Sequence, residues 1–284
     1  DVGVIERHLA ANSLLRADNL RLRGEIPAAL ESAETGLALR RAHADSGDEL
    51  DRRGLAVALA SVGDLLDMQG RGAEALAAYE QSLEIRRDLL ERKPTDADAR
   101  REITTALLRI GWMESKAGRP ERAVESYRQM PAIREAFPAA SDTARARRDV
   151  MRAHAVLAHA LEETGRTQEA IEAARLELAM AEQLARDAPQ NERARSDLVV
   201  ARFEAGSILG RAGERSEAVP LLRLAIDGAR TTLERDPTQR VHTGVLFGAR
   251  EALADLLRHE PATAQEAIQL YRTALATLAT PPSA

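Results

Sequence analysis

The sequence predicts an all-α chain, an α-solenoid of about six antiparallel helix pairs. Three observations carry this. Glycines recur at a near-constant spacing: Gly24 to Gly70 is 46 residues, Gly70 to Gly118 is 48, Gly118 to Gly165 is 47 and Gly165 to Gly213 is 48. Self-similarity at such a period marks an array of helical repeats. Prolines alternate with the glycines, Pro94, Pro138, Pro189 and Pro237 each ending a helical run. Proline has no amide proton to donate and disfavours helix in the residue before it. Between these markers apolar residues recur three and four apart, the spacing of one helix face. Each unit therefore reads as helix, glycine turn, helix, proline loop.

The first unit, about 1–46, has Val2, Ile5, Leu9, Leu14, Leu15 and Leu20 at helical spacing over 2–22, then a partner helix over 26–43 with Pro27 in its first turn, where proline is tolerated. A break at Ser46-Gly47-Asp48 leads into the second unit, 47–94, with helices near 49–69 and 72–92 around the turn Gln69-Gly70-Arg71-Gly72. Glu84, Arg87, Asp88 and Arg92 on its second helix read as a solvated face with weak ion pairs. The third unit, 95–138, holds Trp112, the only tryptophan. Pro131 predicts an interruption of its second helix, with a bend between Met130 and Ala132. The fourth, 139–189, opens on Arg145, Arg147, Arg148 and Arg152. Arg145, Arg148 and Arg152 share one face, either solvated or aimed at an acidic peptide or phosphate. In the fifth, 190–237, Pro220 predicts a local distortion. The sixth, 238–279, has His259-Glu260-Pro261-Ala262 where the turn glycine would stand, the degeneracy expected of a capping repeat. Residues 1–279 thus read as a single solenoid and 280–284 as a frayed, disordered tail.

Particular residues carry a family resemblance. The second unit has Leu59-x2-Val62-Gly63-x2-Leu66, then Ala75-x3-Tyr79, then Pro94; the third has Leu107-x2-Ile110-Gly111, then Ala123-x3-Tyr127; the fifth has Ala205-Gly206-x2-Leu209, then Ala218-x3-Leu222. These resemble the tetratricopeptide repeat across nearly the whole chain. The departures are a period near 47 instead of 34, implying longer helices, and substituted signature slots such as His154 and Arg202. The resemblance is to a long-helix bacterial form of the repeat. It implies a right-handed superhelix whose first helices line a concave groove for a peptide or protein. Carried over by spacing, the groove-facing residues are Asp64, Asp67, Arg109, Trp112, Arg152, His159, Phe203 and Ser207. Trp112 and Phe203 are either binding anchors or fillers between helices. Leu14, Ala60, Leu108, Ala155 and Phe203 occupy the slots of the family's lysine clamp, which disfavours acidic chaperone tails as partners.

Composition narrows the function. A formal net charge of −5 and pI near 5.8 disfavour a general nucleic-acid binder, so no nucleic-acid partner is expected. No apolar run approaches a membrane span. The absence of cysteine removes disulfide and thiol chemistry. Arginine far outnumbers lysine, with Lys93 and Lys116 alone, which reads as the codon usage of a GC-rich bacterium. The chain opens in helix at Asp1 without methionine, as expected of a segment of a longer protein or a processed product. No phosphate loop, HExxH or Gly-x-Ser-x-Gly is present. His154 and His159 are five apart and do not stack for a metal. Glu162-Glu163 reads as solvated. No catalytic residue, metal or cofactor is expected.

The leading reading is a non-catalytic interaction scaffold. Arg86-Arg87-Asp88-Leu89-Leu90-Glu91 and Val62-Gly63-Asp64-Leu65-Leu66 resemble the repeat arrays attached to bacterial serine/threonine kinases and other signalling proteins. That implies a cytoplasmic bacterial signalling protein with a linked kinase or other signalling domain. The alternatives are a self-assembly segment whose ends stack into a dimer, and an enzyme with its site in the groove, which a cleft carboxyl of strongly raised pKa would signal.

Overall fold

The computed structural model describes residues 2–43, 48–135 and 144–279. Among these residues there are twelve helices and no strand: α1 (Val2–Leu22), α2 (Ile26–Ala42), α3 (Glu49–Met68), α4 (Gly72–Arg92), α5 (Ala97–Lys116), α6 (Pro120–Glu135), α7 (Ala144–Glu163), α8 (Thr167–Asp187), α9 (Glu192–Arg211), α10 (Arg215–Arg235), α11 (Arg240–Leu257) and α12 (Ala264–Ala279). The break at Ser46-Gly47, the stop at Pro138 and the 280–284 tail lie outside the described residues. Contacts divide the chain into two compact units, residues 1–141 with α1–α6 and residues 142–284 with α7–α12. Each unit is a row of three helix pairs. The second helix of one pair packs on the first helix of the next.

Local chemistry sets the helix ends. Gly70 sits at φ 76°, open to glycine at no steric cost. Its N–H donates to the Asp67 carbonyl at 2.8 Å and the Arg71 N–H donates to the Leu66 carbonyl at 2.9 Å, satisfying carbonyls that the ended helix would leave bare. Gly24, Gly118, Gly165 and Gly213 repeat the arrangement. After the proline stops, acids and amides cap the next helix. Asp96 accepts from the Ala99 N–H at 2.9 Å, and Asn191 accepts from the N–H groups of Arg193 and Ala194.

The core is thin and built on small residues. Ala56, Ala75, Ala170 and Ala218 are sealed off from solvent at helix crossings, with Leu65, Ile103 and Leu107 in unit 1 and Ile208, Leu222 and Leu253 in unit 2 around them. Burying such a leucine or isoleucine stabilises by about 1.5–3 kcal/mol. One expectation is corrected: α6 runs unbroken from Pro120 to Glu135, so Pro131 does not interrupt it, and α10 likewise runs through Pro220 from Arg215 to Arg235. Each proline costs only the one bond to the carbonyl four residues back, and Pro131 is buried, where packing offsets the loss.

Arginine also has a structural part that codon usage alone does not describe. It bridges like helices of neighbouring pairs. Arg7 of α1 binds Asp51 of α3 at 2.7 Å, Arg211 of α9 binds Glu162 of α7 at 2.5 Å, and Arg223 of α10 binds Glu266 of α12 at 2.9 Å. The fork of the guanidinium spans the gap between pairs and meets carboxylates two oxygens at a time, as Arg7 does at Asp51.

Candidate functional site

In unit 1 the first helices α1, α3 and α5 lie side by side. On α3, Val57, Asp64 and Met68 form one stripe, and on α5, Leu108, Arg109, Trp112 and Lys116 lie along another. Ion pairs stitch the two together. Asp64 accepts from Arg109 at 2.7 Å and Asp67 accepts from Lys116 at 2.6 Å. Asp64 also accepts from the Tyr79 hydroxyl of α4 at 2.8 Å, and the Arg109 guanidinium lies 5.6 Å from the centre of the Tyr79 ring. Burial, then the Asp64 charge, pushes the Tyr79 hydroxyl far above its ordinary value, so Tyr79 stays protonated and remains a donor. The ring lies against Gly63, where any Cβ would stand 2.6 Å from it.

The charges on this face are therefore occupied, while its apolar side chains are not. Trp112 is 57 % exposed, and Leu108 beside it is also exposed. Leu50, Val57 and Met68 of α3 and Val4, Leu15 and Leu22 of α1 are exposed as well.

In unit 2 the corresponding helices stand at a constant offset: α7 ends at 163 and α3 at 68, a difference of 163 − 68 = 95. One pair is kept at that offset, Asp67–Lys116 recurring as Glu162–Arg211, while the other site residues change. Asp64 corresponds to His159, Arg109 to Glu204, Tyr79 to Ala174 and Trp112 to Ser207. His159 is exposed, its Nε2 4.0 Å from Glu204 Oε2. Glu204 hydrogen-bonds Glu177 of α8, which is only 2 % exposed. Burial, then the charge of Glu204, holds the Glu177 carboxyl far above the carboxylate range. The first helices of unit 2 expose a single large apolar residue, Val241 of α11.

A tetratricopeptide-repeat family model matches residues 55–96, the stretch that contains Gly63, Tyr79 and the Gly70 turn. The same helix pair and turn recur across both units. That stretch matches the tetratricopeptide repeat, and the chain as a whole shares the fold of such arrays. Similar solved structures include P. vanneervenii BtubC (BKLC), at TM-score 0.65 and 16 % identity over 90 % of this chain and 93 % of that one. The nearly identical TPR-like repeats of a Podosopora anserina kinesin light chain match at TM-score 0.61 and 18 % identity, covering 80 % and 97 %. The apo form of RapI matches at TM-score 0.61 and 12 % identity, covering 94 % and 97 %. At these identities the likeness is one of fold. No curated protein matches the sequence.

On this fold the eight expected site residues separate. Asp64, Asp67, Arg109 and Trp112 come together on the unit 1 face. Arg152 and His159 are exposed on α7. Phe203 is half-buried and packs against α11, its ring 2.7 Å from where a Cβ on Gly248 would sit. Ser207 is buried. The arginine face at 145, 148 and 152 is also divided. Arg148 is drawn into an ion pair with Asp197, while Arg145 and Arg152 remain exposed. Glu162 is held by Arg211.

Spacing alone did not single out Tyr79 as the partner of Asp64 and Arg109, or the exposed Leu50, Val57 and Met68. The usable signal was apolar residues on a helix stripe that should have been polar. Glu177 was missed too, an acid on the core stripe of α8. It is closed off from solvent, so its raised pKa marks burial and not a reactive cleft. Among the described residues no cluster of three or more His, Asp or Glu side chains is arranged to hold a metal, and no helix is long and apolar enough to cross a membrane.

Proposed function

We propose that unit 1 holds a protein or peptide segment against the exposed face of α1, α3 and α5, with Trp112 as its anchor. One observation carries this: apolar side chains on that face are exposed while its charges are already paired among themselves. A partner gains by covering the apolar surface and need not break the Asp64–Arg109 or Asp67–Lys116 pairs. Large exposed aromatics flanked by aliphatics are where binding energy concentrates. The cytoplasmic bacterial signalling setting with a linked kinase belongs to this proposal and is tested by reading the coding sequence that precedes Asp1. For the face itself, a photo-crosslinking amino acid at Leu108 is expected to capture a partner identifiable by mass spectrometry. Capture should be lost with Trp112→Ala. Equal capture with Trp112→Ala would refute the anchor role.

A specific observation favours self-association as a second reading. Ile268 and Leu275 of α12 are 45 % and 65 % exposed. They occupy the slots of Leu76 and Leu83 of α4, which the next pair buries. The opposite end differs: Asn12, Ser13, Arg16 and Asn19 of α1 stand where α3 has Ala58, Leu59, Val62 and Leu65. Head-to-tail stacking would bury that polar face, whereas α12 meeting α12 of a second copy would not. Light scattering of Leu275→Glu against the wild type decides it, a dimer lost by the substitution supporting self-association.

A further inference from the structure

A second surface lies on the other side of unit 1 and is independent of the face just described. A hollow of about 720 Å³ opens between the second helices α4 and α6, over Leu107 and Ile110 of α5. The α4 wall carries Glu80, Glu84, Arg87 and Glu91 at i, i+4, i+7 and i+11, one face of the helix. The α6 wall adds Glu125. Glu80, Glu84, Glu91 and Glu125 are all exposed, and none of the four takes an ion pair among the described residues. Past the Arg87–Gln129 bridge, at 2.6 Å, lies a second hollow of about 480 Å³ with apolar walls at Leu90, Pro94, Ile103 and Ala132.

Unit 2 shows that this is no general property of the repeat. At the offset of 95, Glu80 corresponds to Arg175 and Arg122 to Glu217, and that pair closes the gap between α8 and α10 at 2.8 Å. Glu84, Glu91 and Glu125 correspond to Ala179, Arg186 and Pro220. In unit 1 Arg122 turns instead to Glu114 of α5, at 3.7 Å, and leaves Glu80 unbridged. The gap stays open and its rim is negative.

We propose that the α4–α6 cleft docks a basic amphipathic segment of a partner protein. Arginines or lysines of that segment meet Glu80, Glu84, Glu91 and Glu125, and an apolar residue enters the hollow beyond Arg87. Exposed carboxylates on one helix face keep most of their hydration until a cation arrives, so this surface steers a positive partner and rejects a negative one.

The test uses the full chain and a fluorescein-labelled synthetic helix with arginines on one face and leucines on the other, followed by anisotropy. Binding is expected in the wild type. It should weaken about tenfold in Glu84→Gln/Glu125→Gln and fall several-fold as salt is raised. Trp112→Ala should bind unchanged, which separates this cleft from the first-helix face. Both glutamates are exposed, so the double variant is expected to fold, as circular dichroism will verify. No binding in the wild type overturns the proposal. So does equal binding by the double variant, by a glutamate-for-arginine peptide or by spermine in place of the peptide, the last showing bare charge attraction. Loss with Trp112→Ala would move the peptide to the other face. Wild-type dimerisation abolished by the double variant would make a second copy the occupant.

Discussion

Gly63 with Tyr79 in unit 1 and Ala158 with Ala174 in unit 2 are the same contact solved in two ways. A large ring against no side chain fills the space in one; two methyl groups fill it in the other. The exchange carries the surrounding polar groups with it. Tyr79 brings a hydroxyl that needs an acceptor, which Asp64 supplies, and Asp64 then holds Arg109. With Ala174 there is no hydroxyl to satisfy, and the slots of Asp64 and Arg109 are His159 and Glu204. The acid has moved to the second slot, next to Glu177, which takes the place of Ser82. One side-chain choice in the core thus redistributes charge on the surface above it. Unit 1 keeps the Asp64–Arg109 pair and an exposed tryptophan; unit 2 keeps a buried Glu177 carboxyl and the buried Ser207.

Substitutions can break this comparison in order of effect. Gly63→Ala forces a Cβ into the Tyr79 ring and is expected to destabilise unit 1 by about 1–3 kcal/mol. Urea denaturation followed by the fluorescence of Trp112 reads unit 1, because no other tryptophan is present. Gly63→Ala/Tyr79→Ala, which copies unit 2, should not add its two costs, since removing the ring removes the clash.

Glu177→Gln comes next and has the opposite sign. The folded Glu177 holds a proton that the unfolded chain releases above its ordinary value of 4.5. The stability this gives is fully present below that value and is lost as pH rises through the raised folded value. Glutamine cannot ionise, so the variant is expected to match the wild type at about pH 4. It should exceed the wild type by about 1–2 kcal/mol at about pH 8. Thermal melts across that range check it, and a gain that does not grow with pH would contradict the buried proton.

Smaller effects sharpen the contrast. Asp64→Asn removes the Arg109 pair and weakens the Tyr79 bond, for about 1 kcal/mol, whereas His159→Asn at the matching exposed site is expected within about 0.5 kcal/mol of wild type. Trp112→Ala should change stability least, because the side chain is mostly in solvent, while removing partner capture.

Much of this architecture could be read from local chemistry. Gly70 and its counterparts adopt a backbone that glycine reaches at no cost, and Pro94 and Pro189 end helices by lacking a donor. Helix limits followed within a residue or two, as at Gly72–Arg92 and Val2–Leu22. Proline misled at Pro131, where the helix continues and surrounding packing tolerates one missing bond. The exposure of the site residues was not legible. Trp112 and Phe203 look alike in the sequence, as aromatics on first helices. The structure leaves Trp112 in solvent and lays Phe203 on Gly248.

By itself, then, the sequence determined the repeat and its turns, because those depend on residues within a few positions of one another. Only the tertiary structure decided which side chains face solvent, which carboxylates are paired and which cleft stays open. Those outcomes depend on neighbours 40 or more residues away, such as Arg175 and Glu217, whose exchanged counterparts Glu80 and Arg122 leave the gap unclosed.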